Sequence, residues 1–272
     1  MEIMGAPTRF EFIGDWQEPL IATAIHAGNQ LRPDVAAELV LADDVRFREE
    51  DPFTELIAQR ASDSRVIVHR SRFETDLNRP RSGAVYRTPD DAWGLQLWRT
   101  DELAEDIAAE SLTGHDLFYA ELAARLDRLA EAGPFVVYDV HSYNHRRDGA
   151  AAPASPASEN PEVNVGTGTL PAACAPVAQA FIEALRTQQV AGHQLDVREN
   201  VRFQGGYLSQ WIHQRYPGRG CALALEFKKT FMDEWTGIAD HDHIDQLAAA
   251  LAATRGPVLQ ALAGLPTTDE PR

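Results

Sequence analysis

The residues that could do chemistry stand beside apolar runs. His26 follows PLIATAI at 19–25, His141 follows FVVYDV at 135–140, Asn78-Arg79 follows FETDL at 73–77, and Glu226 interrupts CALALEF at 221–227. A neutral imidazole on a rigid element is a good zinc ligand, and a catalytic zinc commonly takes three protein ligands and leaves one position open. Two histidines leave room for a carboxylate, and Glu49, Glu50 and Asp51 cluster nearby in sequence. A carboxylate inside an apolar strand is expensive unless it is paired or used. Glu226 is therefore read either as the partner of an Arg or Lys228, or as a general base that takes a proton from an activated water. The guanidinium of Arg79 is a fork that matches a substrate carboxylate. The plainer readings are a histidine that only hydrogen-bonds at a sheet edge and a surface arginine. Asp139, two residues before His141, is expected on the opposite face of its strand, as a supporting or purely structural group. His145 reads as a loop residue, and His241 and His243 as a polar cap before a helix.

The elements that must hold these residues alternate between strand and helix. Strands are expected at 19–25, 65–69, 73–77, 135–140 and 221–227 from short apolar runs bounded by turn residues. Helical spacing appears on both sides of Asp51-Pro52, with Asp51 placed as N-cap and Pro52 in the first turn. Further helices are expected at 101–132, 170–189, 205–216 and 243–263. This alternation implies an α/β sheet covered on both faces, with ligands beyond the carboxyl ends of the strands. No repeat or long linker divides the 272 residues, so a single domain spanning 1–272 is expected. Residues 148–162 are small, Pro-rich and polar, and read as a mobile loop at the rim of a site. Residues 264–272 read as a frayed tail.

Composition narrows the partners. Acidic residues number 41 against 25 basic ones, a formal charge of −16, which argues against a nucleic-acid partner. No apolar stretch approaches the length of a membrane helix. No signal peptide is visible, and Cys174 and Cys221 form no disulfide framework, so a cytoplasmic location is expected. An anionic substrate would need a local positive site, which a metal and the segment with Arg70, Arg72, Arg79 and Arg81 would provide. Oligomeric state is not legible.

The ordered set IHAGNQLRPDV (25–35), EEDPFTEL (49–56), TDLNRPR (75–81), YDVHSYNHR (138–146), NVGTG (164–168), GGYLSQW (205–211) and ALALEFKKTFM (222–232) resembles the N-formylglutamate amidohydrolases. That family is a distant relative of the zinc carboxypeptidases. The resemblance spans about residues 19–235. It implies a three-layer α/β/α fold with a mixed, mostly parallel central sheet, phosphorylase/hydrolase-like. It also implies one zinc per chain, with His26 and His141 as ligands and the acidic ligand at Asp51, or else Glu50. Asn78 and Arg79 would grip the free carboxylate of a small anionic substrate, Glu226 would be the general base, and Arg72 would polarise the scissile carbonyl. Where family members carry a Thr- and Pro-rich stretch after Asn-Arg, this chain has SGAVYRTPDDAWGLQLWRTDEL with Trp93 and Trp98, which bears on substrate selectivity.

The reaction implied is hydrolysis of N-formyl-L-glutamate or a related N-acyl amino acid to the free amino acid and a carboxylate. A zinc carboxypeptidase or amidase acting on a small peptide would use the same ligands. A non-catalytic binding protein on the same fold is the third class, and it has no need of a general base.

Overall fold

The computed structural model describes residues 9–100 and 102–266. In chain order the elements begin with β1 (Phe10–Ile13), β2 (Leu20–Ala24), α1 (Pro33–Glu38), α2 (Asp43–Glu49), α3 (Thr54–Ala58) and β3 (Arg65–Val68). The long α4 (Glu105–Ala132), β4 (Phe135–Tyr143), β5 (Val163–Gly166) and α5 (Ala175–Arg186) follow. A two-residue hairpin, β6 (Gln189–Val190) and β7 (His193–Gln194), leads to β8 (Val197–Glu199), α6 (Tyr207–Arg215) and β9 (Gly220–Lys228). The last elements are α7 (His241–Ala253) and α8 (Arg255–Ala263).

Seven strands form one sheet in the order β1-β3-β2-β4-β9-β5-β8. β3, β2, β4 and β9 run parallel, as do β5 and β8, while β1 and β5 oppose their neighbours β3 and β9. The sheet is thus mixed and mostly parallel, as the resemblance implies. Strand alternation sorts its side chains. Leu20, Ala22, Val136, Tyr138, Val140, Leu223 and Leu225 face a layer made by α3, α5, α7 and α8. Ile21, Val66, Val137 and Ala222 face α4 and α6, through Phe118, Leu122, Leu126, Leu208 and Ile212. Burial on both sides explains why these strands read as continuous apolar runs. A third cluster, with Val35, Phe73, Tyr86, Leu97 and Trp98, lies under the segment that crosses between β3 and α4.

Four expectations change. Residues 73–77 are a turn, not a strand. The Phe73 N–H donates to Ser71 Oγ at 3.1 Å and the Asn78 N–H to Asp76 Oδ1 at 2.8 Å, so local acceptors replace a strand ladder. Asn78-Arg79 therefore does not end a strand. Asp51 is not an N-cap: α3 starts at Thr54 behind Phe53, whose φ is 68°. The expected helix at 243–263 breaks at Thr254, whose Oγ1 donates to Leu251 O at 2.7 Å, and Pro257 has no N–H for the turn before it. Asp139 shares the face of His141, because side-chain alternation repeats every two residues.

Residues 148–162 connect β4 to β5 and carry a single 3₁₀ turn at Ala157–Glu159. Of the expected tail, residues 267–272 lie outside the described residues. Among those described, no helix is long and apolar enough to cross a membrane.

Candidate metal centre and cleft

The parallel strands β2, β4 and β9 point their carboxyl ends the same way, and their register fixes the chemistry there. His141 of β4 pairs with Glu226 of β9, and Glu226 pairs with Asn164 of β5. One row back, Thr23 pairs with Asp139 and donates its hydroxyl to Asp139 Oδ1 at 2.8 Å. A polar ledge thus interrupts an otherwise apolar sheet face. His26 lies two residues beyond β2, and its carbonyl accepts the Asp51 N–H at 2.9 Å.

His26, Asp51 and His141 come together with potential ligand atoms within 4.8 Å of one another, all three buried. Asp51 Oδ2 lies 3.0 Å from His141 Nδ1 and 3.4 Å from His26 Nδ1. The far nitrogens are backed by carboxylates: His26 Nε2 is 2.8 Å from Asp76 Oδ1, and His141 Nε2 is 3.1 Å from Asp139 Oδ1. With the proton on each Nε2, both Nδ1 lone pairs point at one place. This is the way ligating histidines are usually oriented. His26 Nδ1 is buried without a hydrogen-bond partner, which a bound cation would supply. The donor set of two imidazoles and a carboxylate fits a divalent metal. Burial opposes the charged form of Asp51, but the two imidazoles packed against it, His141 and His26, hold its carboxyl well below the ordinary range.

Glu50 is not part of this group. Its carboxylate accepts from Arg46 Nη1 at 2.9 Å and from Ser71 Oγ, and burial pushes it up to about 7 against both. The buried Lys229 donates to the carbonyls of Arg48 and Glu50 at 2.5 and 2.6 Å, which pins the chain leading into Asp51.

A cleft of about 560 Å³ opens over the cluster. Arg72, Glu226, Asn144, Trp93 and Gly205-Gly206 are among its lining residues, together with His26, Asp51 and His141. Burial pushes Glu226 up to about 7, opposed by His141 and reinforced by Asp51 and Asp139. Its carboxyl can therefore accept and return a proton near neutrality. Arg72 reaches the cleft with Nη2 on Asp76 Oδ2 at 2.8 Å and Nε on Tyr86 OH at 3.2 Å, beneath the Trp93 ring. Trp93 is 56% exposed in a left-handed backbone conformation, whereas Trp98 is buried and donates to Tyr86 O at 2.9 Å.

Asn78 and Arg79 sit behind the wall rather than in its lining. Asn78 Oδ1 accepts the Leu208 N–H at 3.0 Å, and its Nδ2 lies 3.4 Å from His141 Nε2. A Cβ on Gly206 would come within 2.3 Å of that carboxamide, so the first glycine-lined turn of α6 needs its bare backbone there. Arg79 Nη2 donates to Asp91 O at 2.7 Å, and the guanidinium covers Tyr86.

Sequence reasoning missed Asp76, which gathers His26, Arg72, Tyr86 and the Asn78 N–H around one buried carboxylate. An acidic residue two places before Asn78 was its only trace. His145 is half-buried and uses its N–H on Glu234. His243 donates its N–H to Asp240, the true N-cap of α7.

The family model of the N-formylglutamate amidohydrolases matches residues 18–232. No curated protein matches the chain. Among solved structures, an N-formylglutamate amidohydrolase from Ralstonia eutropha JMP134 aligns at 15% identity and TM-score 0.73, covering 94% of this chain and 99% of that one. A gene product of Agrobacterium tumefaciens aligns at 16% identity and TM-score 0.66, covering 94% and 97%. A metallo-carboxypeptidase from Burkholderia cenocepacia aligns at 19% identity and TM-score 0.33, covering 90% and 56%.

Proposed function

This chain belongs to the N-formylglutamate amidohydrolase family, and on that premise we propose that it is a zinc-dependent amidohydrolase of N-formyl-L-glutamate or a related N-acyl amino acid. The observation that supports this most is the pair of carboxylate-backed histidines turned onto Asp51, with Glu226 beside His141 in the strand register. His26, Asp51 and His141 would hold the metal. When bound, zinc supplies Lewis acidity that makes water nucleophilic near neutral pH and polarises a carbonyl.

The chain's own residues do the rest. Glu226 takes the proton of the attacking water and passes it to the departing α-amine, which its raised pKa allows in both directions. Arg72 stands on the cleft wall, where its charge complements an oxyanion developing on the acyl group. Asp76 and Asp139 orient the two imidazoles and keep their protons on Nε2. Asn78 and Arg79 are assigned the substrate's α-carboxylate, and Arg79 reaches it by leaving the Asp91 carbonyl. Holding the substrate in this way converts binding energy into orientation.

The test is metal content by plasma mass spectrometry on wild type and on His26→Ala/His141→Ala, followed by a panel of N-formyl and N-acetyl amino acids and dipeptides. About one zinc per chain, lost in the double variant, together with turnover of N-formyl amino acids, is expected. Failure to bind any transition metal would end this reading. Turnover of dipeptides alone would move the substrate to the carboxypeptidase class.

A further inference from the structure

A large aromatic side chain at the cleft is left open to solvent. Trp93 lines the cleft and is 56% exposed, whereas Trp98 is buried. An indole in that position presents apolar surface that nothing in the fold covers. Trp93 also holds a left-handed backbone, with φ 54°, which is uncommon for a bulky residue and carries a conformational cost. The turn before it enforces this. Thr88 and Asp91 cap the 3₁₀ turn Pro89–Ala92 reciprocally, the Asp91 carbonyl holds Arg79, and the Gly94 N–H donates to Pro89 O at 2.7 Å. A strained residue is thus fixed at both sides so that its ring stands at the cleft.

The place of the ring ties it to one part of a substrate. It lies over the Arg72 guanidinium, 4.9 Å from Cζ to the ring centroid, and packs edge-to-face with Tyr86 at 6.0 Å. Arg72 Nη2 is bound to Asp76 and its Nε to Tyr86, which leaves Nη1 for the acyl oxygen of a substrate. An acyl group that meets Arg72 has its substituent beside the indole and beside Leu95, which also lines the cleft. A formyl group carries only hydrogen there and leaves the ring wet. A planar aryl substituent would stack on it. The cleft of about 560 Å³ falls in the range that holds drug-sized ligands, so it has room for more than a formyl amino acid.

We propose that Trp93 and Leu95 form an acyl subsite that covers an aryl substituent, so that an N-aroyl amino acid is a better substrate than its N-acetyl counterpart. The inference rests on the amidohydrolase reading and extends its acyl group beyond formyl. The bond broken is the same amide. Water adds its oxygen to the aroyl carbon and its proton goes to the departing α-amine, which yields a free amino acid and an aromatic carboxylate.

The experiment holds the amino acid constant and compares N-benzoyl-L-glutamate with N-acetyl-L-glutamate. It reads kcat and KM in the zinc-loaded protein, and Kd by calorimetric titration of Glu226→Gln, which should bind both without turnover. Wild type should favour the benzoyl compound on the order of 10- to 100-fold, expressed in KM and Kd, the range for covering one aromatic group. Trp93→Ala, in both backgrounds, should bring that ratio within about threefold, and Trp93→Phe should retain most of it. If Trp93→Ala does not fold, Trp93→Gly removes the ring in its place, because glycine tolerates the left-handed backbone. Equal handling of the two acyl groups by wild type, binding of neither, or a benzoyl preference that survives loss of the ring overturns the subsite. If no N-acyl amino acid is hydrolysed, N-formyl included, the amidohydrolase reading fails by itself, and the binding ratio still decides the subsite.

Discussion

Replacing Asp76 tests whether the metal centre is held from behind. The carboxylate is fully buried. Its Oδ1 meets His26 Nε2 and the Asn78 N–H, each at 2.8 Å. Its Oδ2 meets Arg72 Nη2 at 2.8 Å and the Tyr86 hydroxyl. Asp76→Ala leaves all four donors without this acceptor and leaves Arg72 without its ion pair. Breaking a buried pair from one side costs about 3–5 kcal/mol. Each stranded donor would add about 1–3 kcal/mol if the terms were additive, which within one network they are not. Arg72 keeps 14% of its side-chain surface and can draw water from the cleft, which favours the lower end. A loss of about 4 kcal/mol follows, equivalent to a melting temperature roughly 10 °C lower for a chain of this size. Zinc affinity should fall about 10- to 100-fold, because His26 loses the group that fixes its tautomer. Asp76→Asn should recover less than half of the stability, since one end of its carboxamide must present N–H groups to donors. The assays are thermal melting of metal-free protein and competition against a chelator of known affinity. A variant that melts within about 2 °C of wild type and holds zinc equally well would refute the claim that Asp76 organises the site.

Three other changes probe separate steps of the argument. Glu226→Gln should lower kcat/KM by about 10²- to 10⁴-fold while zinc content stays near wild type; loss of zinc would make Glu226 a ligand instead. Gly28→Ala would put a Cβ 2.1 Å from the His69 backbone carbon, so stability should fall by about 2 kcal/mol or more, read from urea unfolding, with a smaller loss contradicting the close approach. His213 accepts the Ala222 N–H at 2.9 Å and is pushed down from 6.5 to about 4 by burial. Its neutral form therefore contributes stability that is complete above pH about 6.5 and is lost as pH falls toward about 4, by about 3 kcal/mol in all. The urea midpoint of wild type should fall across that window, and His213→Gln should flatten this limb; identical pH profiles would exclude His213 as its source.

The strands that carry the site were legible because burial on both faces forces continuous apolar runs, and PLIATAI, FVVYDV and CALALEF are such runs. A polar residue beside one of them is conspicuous, which is how His26, His141 and Glu226 stood out. The ordered motifs supplied the family and, through it, the layered fold. The turn at 73–77 was not legible, since Phe, Thr and Leu favour a strand, while the acceptors of Ser71 and Asp76 win only when the segment is held over the third apolar cluster. Sequence placed Glu50 and Asp51 side by side, and the resemblance put Asp51 first with Glu50 a close second. Tertiary structure separated them, because Arg46 and Ser71 occupy one carboxylate and the two imidazoles occupy the other. Asp76 has no local pattern that marks it. Its role comes from meeting His26, 50 residues earlier in the chain, and only the closed fold brings such positions together. Short-range pattern follows from local propensity and burial, and so the sequence by itself determined the doubly buried strands and the chemistry beside them. Which carboxylate meets which histidine is decided by packing alone.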